Sequence, residues 1–401
     1  MKLRIEKGIA KGEITAPPSK SMAHRLLICA GLSEGKSIIK GISDCEDVLA
    51  TLDCLNALGI NNEINGNDIT VYGKNIRELK PQGILECRES GSTLRFMLPV
   101  AMLLSNETVF HGAEGLMKRP MTVFEELFPE SYRKDGQHIY VKGGLKGGEY
   151  TVKGNISSQF ISGLLFALPL TDTDSTIKII PPIESRSYIN LTLNALKQFG
   201  VNVYWNDENT LFVAGNQAYK SSCVTVEGDY SGAAFIDSFN FLGGDVNVSG
   251  LKEDSAQGDR VYKEYFKLLN CDNAVIDIED CPDLAPILFS VAAAKKGGVF
   301  KGTKRLKIKE SDRASVMAQE LRKFGANVEI TENSVTVITA DFHAPTEPLC
   351  GHNDHRVVMS LAVLLTLTGG EIDGAEAVAK SYPYFFEDLS ALGIKVEEII
   401  C

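Results

Sequence analysis

The stretch Ser157-Ser158-Gln159-Phe160-Ile161-Ser162-Gly163-Leu164-Leu165-Phe166-Ala167 opens on two hydroxyl residues and runs into an apolar segment. A serine in that place accepts a bond from a free backbone N–H, so a capped helix is predicted to start here. A short β-rich run, Thr176-Ile177-Lys178, comes next. Then Leu196-Lys197-Gln198-Phe199-Gly200 reads as the end of a second helix, closed by the left-handed conformation that glycine adopts easily. Val201-Asn202-Val203-Tyr204-Trp205 and Leu211-Phe212-Val213 complete it as a strand pair. The predicted module is strand, helix, strand, helix and strand pair.

The pattern recurs. Helix starts read Ser19-Lys20-Ser21, Ser90-Gly91-Ser92, Ser157-Ser158-Gln159, Ser231-Gly232, Asp283-Leu284 and Asp354-His355-Arg356. The strands after them read Ser37-Ile38-Ile39, Thr108-Val109-Phe110, Thr176-Ile177-Lys178, Val246-Asn247-Val248, Val299-Phe300-Lys301 and Glu371-Ile372-Asp373. Successive strands are about 70 residues apart, the fourth step nearer 50, a period too long for a common solenoid unit. Gly59, Gly325 and Gly393 close second helices as Gly200 does, while the copies near residues 130 and 270 are degenerate but in phase. The chain is therefore predicted to be α/β with six βαβαββ repeats, three per lobe. Thr15-Ala16-Pro17-Pro18 and Val226-Glu227-Gly228-Asp229 mark the predicted crossings, near 15–20 and 226–229. The expected N-terminal lobe is 16–227; the other combines 1–15 with 228–401.

With 401 residues, 44% hydrophobic and 23% charged, the composition fits a soluble globular chain of about two or three domains. Met1 to Thr15 alternates like a strand and not like a signal peptide, and Leu26 to Leu32 is too short to span a bilayer. Nine cysteines are scattered without a C-x-x-C pair, which points to a reducing cytoplasm and to neither a disulfide framework nor a metal cluster. The net charge of −11 argues against nonspecific nucleic-acid binding. Any preference for anions must come from a site.

Pro17-Pro18-Ser19-Lys20-Ser21-Met22-Ala23-His24-Arg25 supplies such a site: a capped helix start carries free N–H groups and the positive end of the dipole, and Lys20 and Arg25 strengthen both. One such segment alone reads first as a capped surface helix with solvated basic residues. Repetition favours the other reading, because Gly91 with Arg95, Ser157-Ser158-Gln159, Lys118-Arg119-Pro120, Arg313 and Arg356 stand at equivalent places. Arginine suits carboxylate or phosphate, since its fork binds two oxygens together. His352 and His355 lack a third ligand nearby, so no metal is expected. Asp283 and Glu310 read either as acid–base carboxylates or as plain helix-dipole partners, and the residues by themselves leave both open.

Taken together these segments resemble the 5-enolpyruvylshikimate-3-phosphate synthase family over nearly the whole chain. The matching motifs are Pro18-Ser19-Lys20-Ser21 with Arg25, Lys118-Arg119-Pro120, Ser157-Ser158-Gln159-Phe160, Ser185 with Tyr188, and Glu227-Gly228-Asp229. Lys309-Glu310-Ser311-Asp312-Arg313, Asn353-Asp354-His355-Arg356 and Ala379-Lys380-Ser381 follow in family order. The resemblance implies a two-lobed inside-out α/β barrel whose helix N-termini face the cleft, each lobe holding half a site. It implies transfer of the enolpyruvyl group of phosphoenolpyruvate to the 5-hydroxyl of shikimate-3-phosphate, through a tetrahedral intermediate. Lys20, Ser21, Arg25, Ser157, Ser158, Gln159, Ser185, Tyr188, Asp283 and Lys309 would hold shikimate-3-phosphate. Lys20, Gly91, Arg119, Gln159, Arg313, Arg356 and Lys380 would hold phosphoenolpyruvate, and Lys20, Asp283 and Glu310 would move protons. No cofactor or metal is implied, and the expected protein is a cytoplasmic monomer with small-molecule partners, neither nucleic acid nor membrane, and a target of glyphosate.

Glu89-Ser90-Gly91-Ser92-Thr93 departs from the family pattern, which more often has Asn first and Thr fourth, and Phe96 stands where Pro or Leu is usual. The rival readings are the sister enzyme acting on UDP-N-acetylglucosamine and a noncatalytic anion-binding repeat protein. The first typically carries a reactive Cys before its Arg-Pro, and His111 to Met117 contains none. The acidic balance and the Asp283/Glu310 pair speak against the second.

Overall fold

The computed structural model describes residues 1–339 and 341–400. They form two compact units, Pro18–Glu227 and Met1–Pro17 with Gly228–Cys401. The third repeat shows the module complete. Glu149–Lys153 pairs parallel with Ser175–Ile180, which runs antiparallel to Thr210–Val213, itself antiparallel to Val203–Trp205. The second and fifth repeats keep this order.

At the chain crossings the repeats exchange strands. Lys11–Thr15 precedes the first central helix in sequence but pairs parallel with Asp245–Ser249 of the fourth repeat. Cys223–Thr225 precedes the fourth central helix but pairs parallel with Ser33–Lys40 of the first. Lys2–Ile5 fills the last-strand place of the sixth repeat, between Gly370–Asp373 and Val396–Glu398. The alternation over Met1–Thr15 is thus two strands, Lys2–Ile5 and Lys11–Thr15, each serving a different sheet. The short fourth step also has its reason: after the helix Tyr262–Leu268 the chain goes directly to Val275–Asp277, the leading strand of the next repeat, with no strand pair between.

Each unit keeps its first-of-repeat helices inside and its sheets outside. Residues 22–32 of Lys20–Leu32, 285–293 of Ala285–Ala294 and 355–366 of His355–Thr368 are buried without a break. A helix apolar all round can only be internal. The second helices behave differently: Arg186–Gln198 buries one stripe, Ile189, Leu191, Thr192, Ala195 and Leu196, as an outer helix does. Gly59, Gly200, Gly325 and Gly393, which follow four of these outer helices, all have positive φ.

Four of the six predicted helix starts carry their serine or aspartate as N-cap: Ser19, Ser90, Ser157 and Asp354 each accept from a backbone N–H in the first turn. Two starts are displaced. The fourth helix begins at Tyr230 with Asp229 as its cap, because Asp229 rather than Ser231 holds the extended conformation that capping needs. Asp283 caps nothing; it lies in a single 3₁₀ turn, Pro282–Leu284, ahead of the helix Ala285–Ala294.

Helices Gly91–Ala101 and Ser158–Ala167 pack on each other where a glycine lets the backbones meet. A Cβ on Gly163 would stand 2.2 Å from the carbonyl oxygen of Arg95 and 3.2 Å from Pro99 Cγ. Gly163→Ala is therefore expected to lower the unfolding free energy by about 1–3 kcal/mol, overpacking outweighing the better helix propensity of alanine. Urea denaturation tests this, and an unchanged or raised midpoint would contradict the packing argument.

Candidate active site

In the Pro18–Glu227 unit the helix starts are joined by buried hydroxyls. His24 Nδ1 lies 2.7 Å from Thr51 Oγ1, Thr51 Oγ1 2.8 Å from Thr93 Oγ1, and Thr93 Oγ1 donates to the cap Ser90 Oγ at 2.8 Å. Burial first, with Lys20 and Arg25 adding to it, holds the His24 ring well below the usual histidine range, so the ring is neutral. Lys20 Nζ meets Asp47 Oδ2 at 2.6 Å, both side chains largely buried. Arg25 is turned inward, donating to Thr192 Oγ1 at 2.8 Å and the Tyr188 carbonyl at 3.0 Å, with its guanidinium 5.0 Å from the Phe96 ring centre. Burial brings its pKa down to about 10. Phe96, the departure noted in the sequence, is the surface under this arginine.

Gly91, Arg119 and Gln159, separate in sequence, come together. A Cβ on Gly91 would lie 3.1 Å from Arg119 Nη1 and 2.8 Å from Arg95 Nη1, so both guanidinium groups close on this helix start. Gln159 accepts from Arg95 Nη1 at 2.7 Å and donates to Ser92 Oγ at 2.9 Å. Ser157 caps the next helix by accepting from the Gln159 N–H, and Ser158 is buried behind it. Ser185 holds a left-handed φ of +58° just before the helix Arg186–Gln198, which carries Tyr188. Non-glycine residues tolerate that conformation only where their surroundings enforce it.

In the other unit the predicted residues form one charge cluster. Asp283 Oδ1 accepts from Lys309 Nζ at 3.2 Å and from Arg313 Nη1 at 2.8 Å, while its Oδ2 accepts from Arg356 Nη2 at 3.0 Å. Glu310 Oε2 accepts from Arg313 Nη2 at 2.6 Å. Arg313 is 1% exposed, and its Nε donates to Asp354 Oδ2 at 2.9 Å, a carboxylate with no exposure at all. Burial opposes charge on the Asp283 carboxyl, but Arg356, Lys309 and Arg313 together hold it well below the usual carboxylate range. Burial also draws Lys309 below the ordinary lysine range, against the pull of Asp283. Lys380 reaches the same helix start through Asn353, whose carbonyl oxygen and Oδ1 accept from Nζ at 2.6 and 2.8 Å.

Three residues beyond the predicted set belong to this machinery. Asp354 joins Arg313 to the cap of the helix carrying Arg356; its type marked it as a cap, and nothing in the sequence marked it as the partner of Arg313. Asp47 engages Lys20 from a helix 27 residues on, a pairing without a sequence signal. Arg95 holds Gln159, and its place just inside a helix start was the available clue. Among the described residues no group of three or more His, Cys, Asp and Glu could hold a metal ion. None of the described helices is long and apolar enough to cross a membrane.

The fold is that of an enolpyruvyl transferase. The enolpyruvyl transferase NikO from Streptomyces tendae superposes with a TM-score of 0.75 at 14% identity, covering 99% of this chain and 98% of that one. EPSP synthase from Acinetobacter baumannii gives 0.79 at 24% identity, covering 99% and 100%. Residues 6–389 match the family model described as EPSP synthase (3-phosphoshikimate 1-carboxyvinyltransferase). A Clostridium perfringens protein named 3-phosphoshikimate 1-carboxyvinyltransferase is 40% identical, with 96% of each chain covered. One of the same name from Clostridioides difficile is 37% identical, covering 99% of this chain and 98% of its own. The chain belongs to the EPSP synthase family.

Removing one partner of a buried ion pair costs about 3–5 kcal/mol, since the other charge stays behind. Asp354→Asn is expected to lose about that much unfolding free energy in urea titration, and an unchanged midpoint would rule out the clamp on Arg313. Asp283 adds a pH dependence whose sign follows from its lowered pKa. Its stabilisation is complete above roughly pH 5 and is lost as pH falls through roughly 4 and below. Asp283→Asn should therefore flatten the acid limb of stability against pH; equal slopes in both proteins would count against the pairing.

Proposed function

We propose that the chain transfers the enolpyruvyl group of phosphoenolpyruvate to the 5-hydroxyl of shikimate-3-phosphate, releasing phosphate, with the residues above in defined roles. The observation that carries this reading is the Asp283–Lys309–Glu310–Arg313–Arg356 cluster, in which two candidate acid–base carboxylates share one buried guanidinium.

In the proposed sequence the hydroxyl oxygen adds to C2 of phosphoenolpyruvate, an enol phosphate, while C3 takes a proton. Phosphate then leaves as the new methyl group gives a proton back, which regenerates the vinyl bond. Glu310 delivers the first proton to carbon and removes the second. Asp283 or Lys20 takes the hydroxyl proton. Arg119, Gln159, Gly91, Arg313, Arg356, Lys380 and Lys20 receive the donor. Ser21, Arg25, Ser157, Ser158, Ser185, Tyr188 and Lys309, with Lys20, Gln159 and Asp283, receive the acceptor. Each charge-assisted bond contributes roughly 1.5–3 kcal/mol. The reading also takes the protein as a cytoplasmic monomer with two small-molecule substrates and neither nucleic acid nor membrane as partner. The 96% coverage at 40% identity supports it over a UDP-N-acetylglucosamine transferase or a noncatalytic repeat protein.

Incubating the protein with both substrates should release inorganic phosphate; no release, or release only with a UDP-sugar acceptor, would overturn the assignment. Glu310→Gln should bind both substrates yet turn over about a hundredfold or more slowly, the usual worth of a general acid. Wild-type turnover in that variant would remove Glu310 from the proton steps.

A further inference from the structure

A buried acid that none of these roles uses stands behind the last helix start. Glu320, on the helix Arg313–Arg322, has a side chain with no exposure. A carboxylate so placed is costly unless its oxygens are met. Its partners are the Cys350 N–H at 3.0 Å, His352 Nε2 at 2.9 Å and Lys323 Nζ at 2.9 Å. Two of the three belong to the segment just before the helix His355–Thr368.

That segment is strained. His352 and Asn353 take left-handed φ values of +48° and +54° in succession. Asn visits that region readily, but a left-handed His persists only where its surroundings enforce it. Gly351 beside them has no room for a side chain, a Cβ there lying 2.5 Å from Val358 Cγ2 and 3.0 Å from the Asp373 carbonyl oxygen. The turn aims both oxygens of Asn353 at Lys380 Nζ. The next residue, Asp354, grips Arg313 and caps the helix that carries Arg356.

We propose that Glu320, acting through His352, is a positioning residue for phosphoenolpyruvate: it fixes the 352–353 turn so that Asn353 holds Lys380 ready for the donor's anionic groups. The inference rests on the reading that Lys380 is a phosphoenolpyruvate ligand. Neither Glu320 nor His352 touches substrate in this scheme. A bare structural ion pair would leave the two substrates equally affected, whereas a positioning role singles out one.

The test uses the full chain and steady-state kinetics with both substrates varied. His352 is partly exposed, so trimming it leaves the core intact. His352→Ala should raise KM for phosphoenolpyruvate about three- to tenfold, the range of a modest coupling energy, with kcat and KM for shikimate-3-phosphate within about twofold. His352→Gln, whose amide can donate to Glu320, should restore most of the loss. In the double variant with Lys380→Ala the loss should not exceed that of Lys380→Ala alone. Equal changes for both substrates, no rescue by Gln, or losses that multiply in the double variant would overturn the proposal. If Lys380→Ala itself leaves KM for phosphoenolpyruvate unchanged, the reading of Lys380 fails, and the inference built on it fails for that separate reason.

Discussion

Arg313 is the contact on which the charge cluster of its unit turns. A guanidinium cannot shed its charge under physiological conditions, so a fully buried one needs acceptors for its donors, and around Arg313 these are anions. Three carboxylates supply them, and they arrive from two repeats: Asp283 and Glu310 from the fifth, Asp354 from the sixth. Because each pairs with the same group, the 3₁₀ turn before one central helix, the loop before an outer helix and the cap of another central helix are fixed relative to one another. The arginine thus sets both the geometry of the cluster and its electrostatics. Asp283 stays ionised despite burial because the surrounding cations outweigh the cost of its desolvation.

The Pro18–Glu227 unit solves a similar problem with fewer charges. Its helix starts are tied by hydroxyls, a neutral histidine and one glutamine, and its cations lie at the margins of that network. Neutral links of this kind are individually modest, about 1 kcal/mol each, but leaving any member unpaired in the interior costs more. The difference suits the roles proposed for the two units: hydroxyl and amide donors for an acceptor rich in hydroxyls, paired charges for proton transfer.

Much of this was legible in the sequence because duplication wrote each element several times. The caps Ser19, Ser90, Ser157 and Asp354, the strands after them and the glycines closing the outer helices all follow from local chemistry, and the structure has them where expected. Local chemistry failed where a choice depended on distant partners. Asp229 and Ser231 are both competent caps, and only the backbone conformation at Asp229 decides between them. Asp283 looks like a cap and is instead claimed by three cations 26, 30 and 73 residues away. Among the site residues Gly91, Arg119 and Gln159 were identified by type and motif, yet Arg95, Asp47 and Asp354 required the fold, since their significance lies in whom they touch.

The exchange of strands at the crossings has a consequence for how the chain is made. Every partner of the Pro18–Glu227 unit lies within one unbroken stretch, so that unit is complete as soon as its own residues have left the ribosome. The other unit is not so placed. Its Lys2–Ile5 strand is synthesised long before Gly370–Asp373 and Val396–Glu398, with which it pairs. Contacts separated by most of the chain are slow to form and leave strand edges open meanwhile. The Lys2–Ile5 strand therefore waits while the whole Pro18–Glu227 unit is made, and the two units mature in an order dictated by topology.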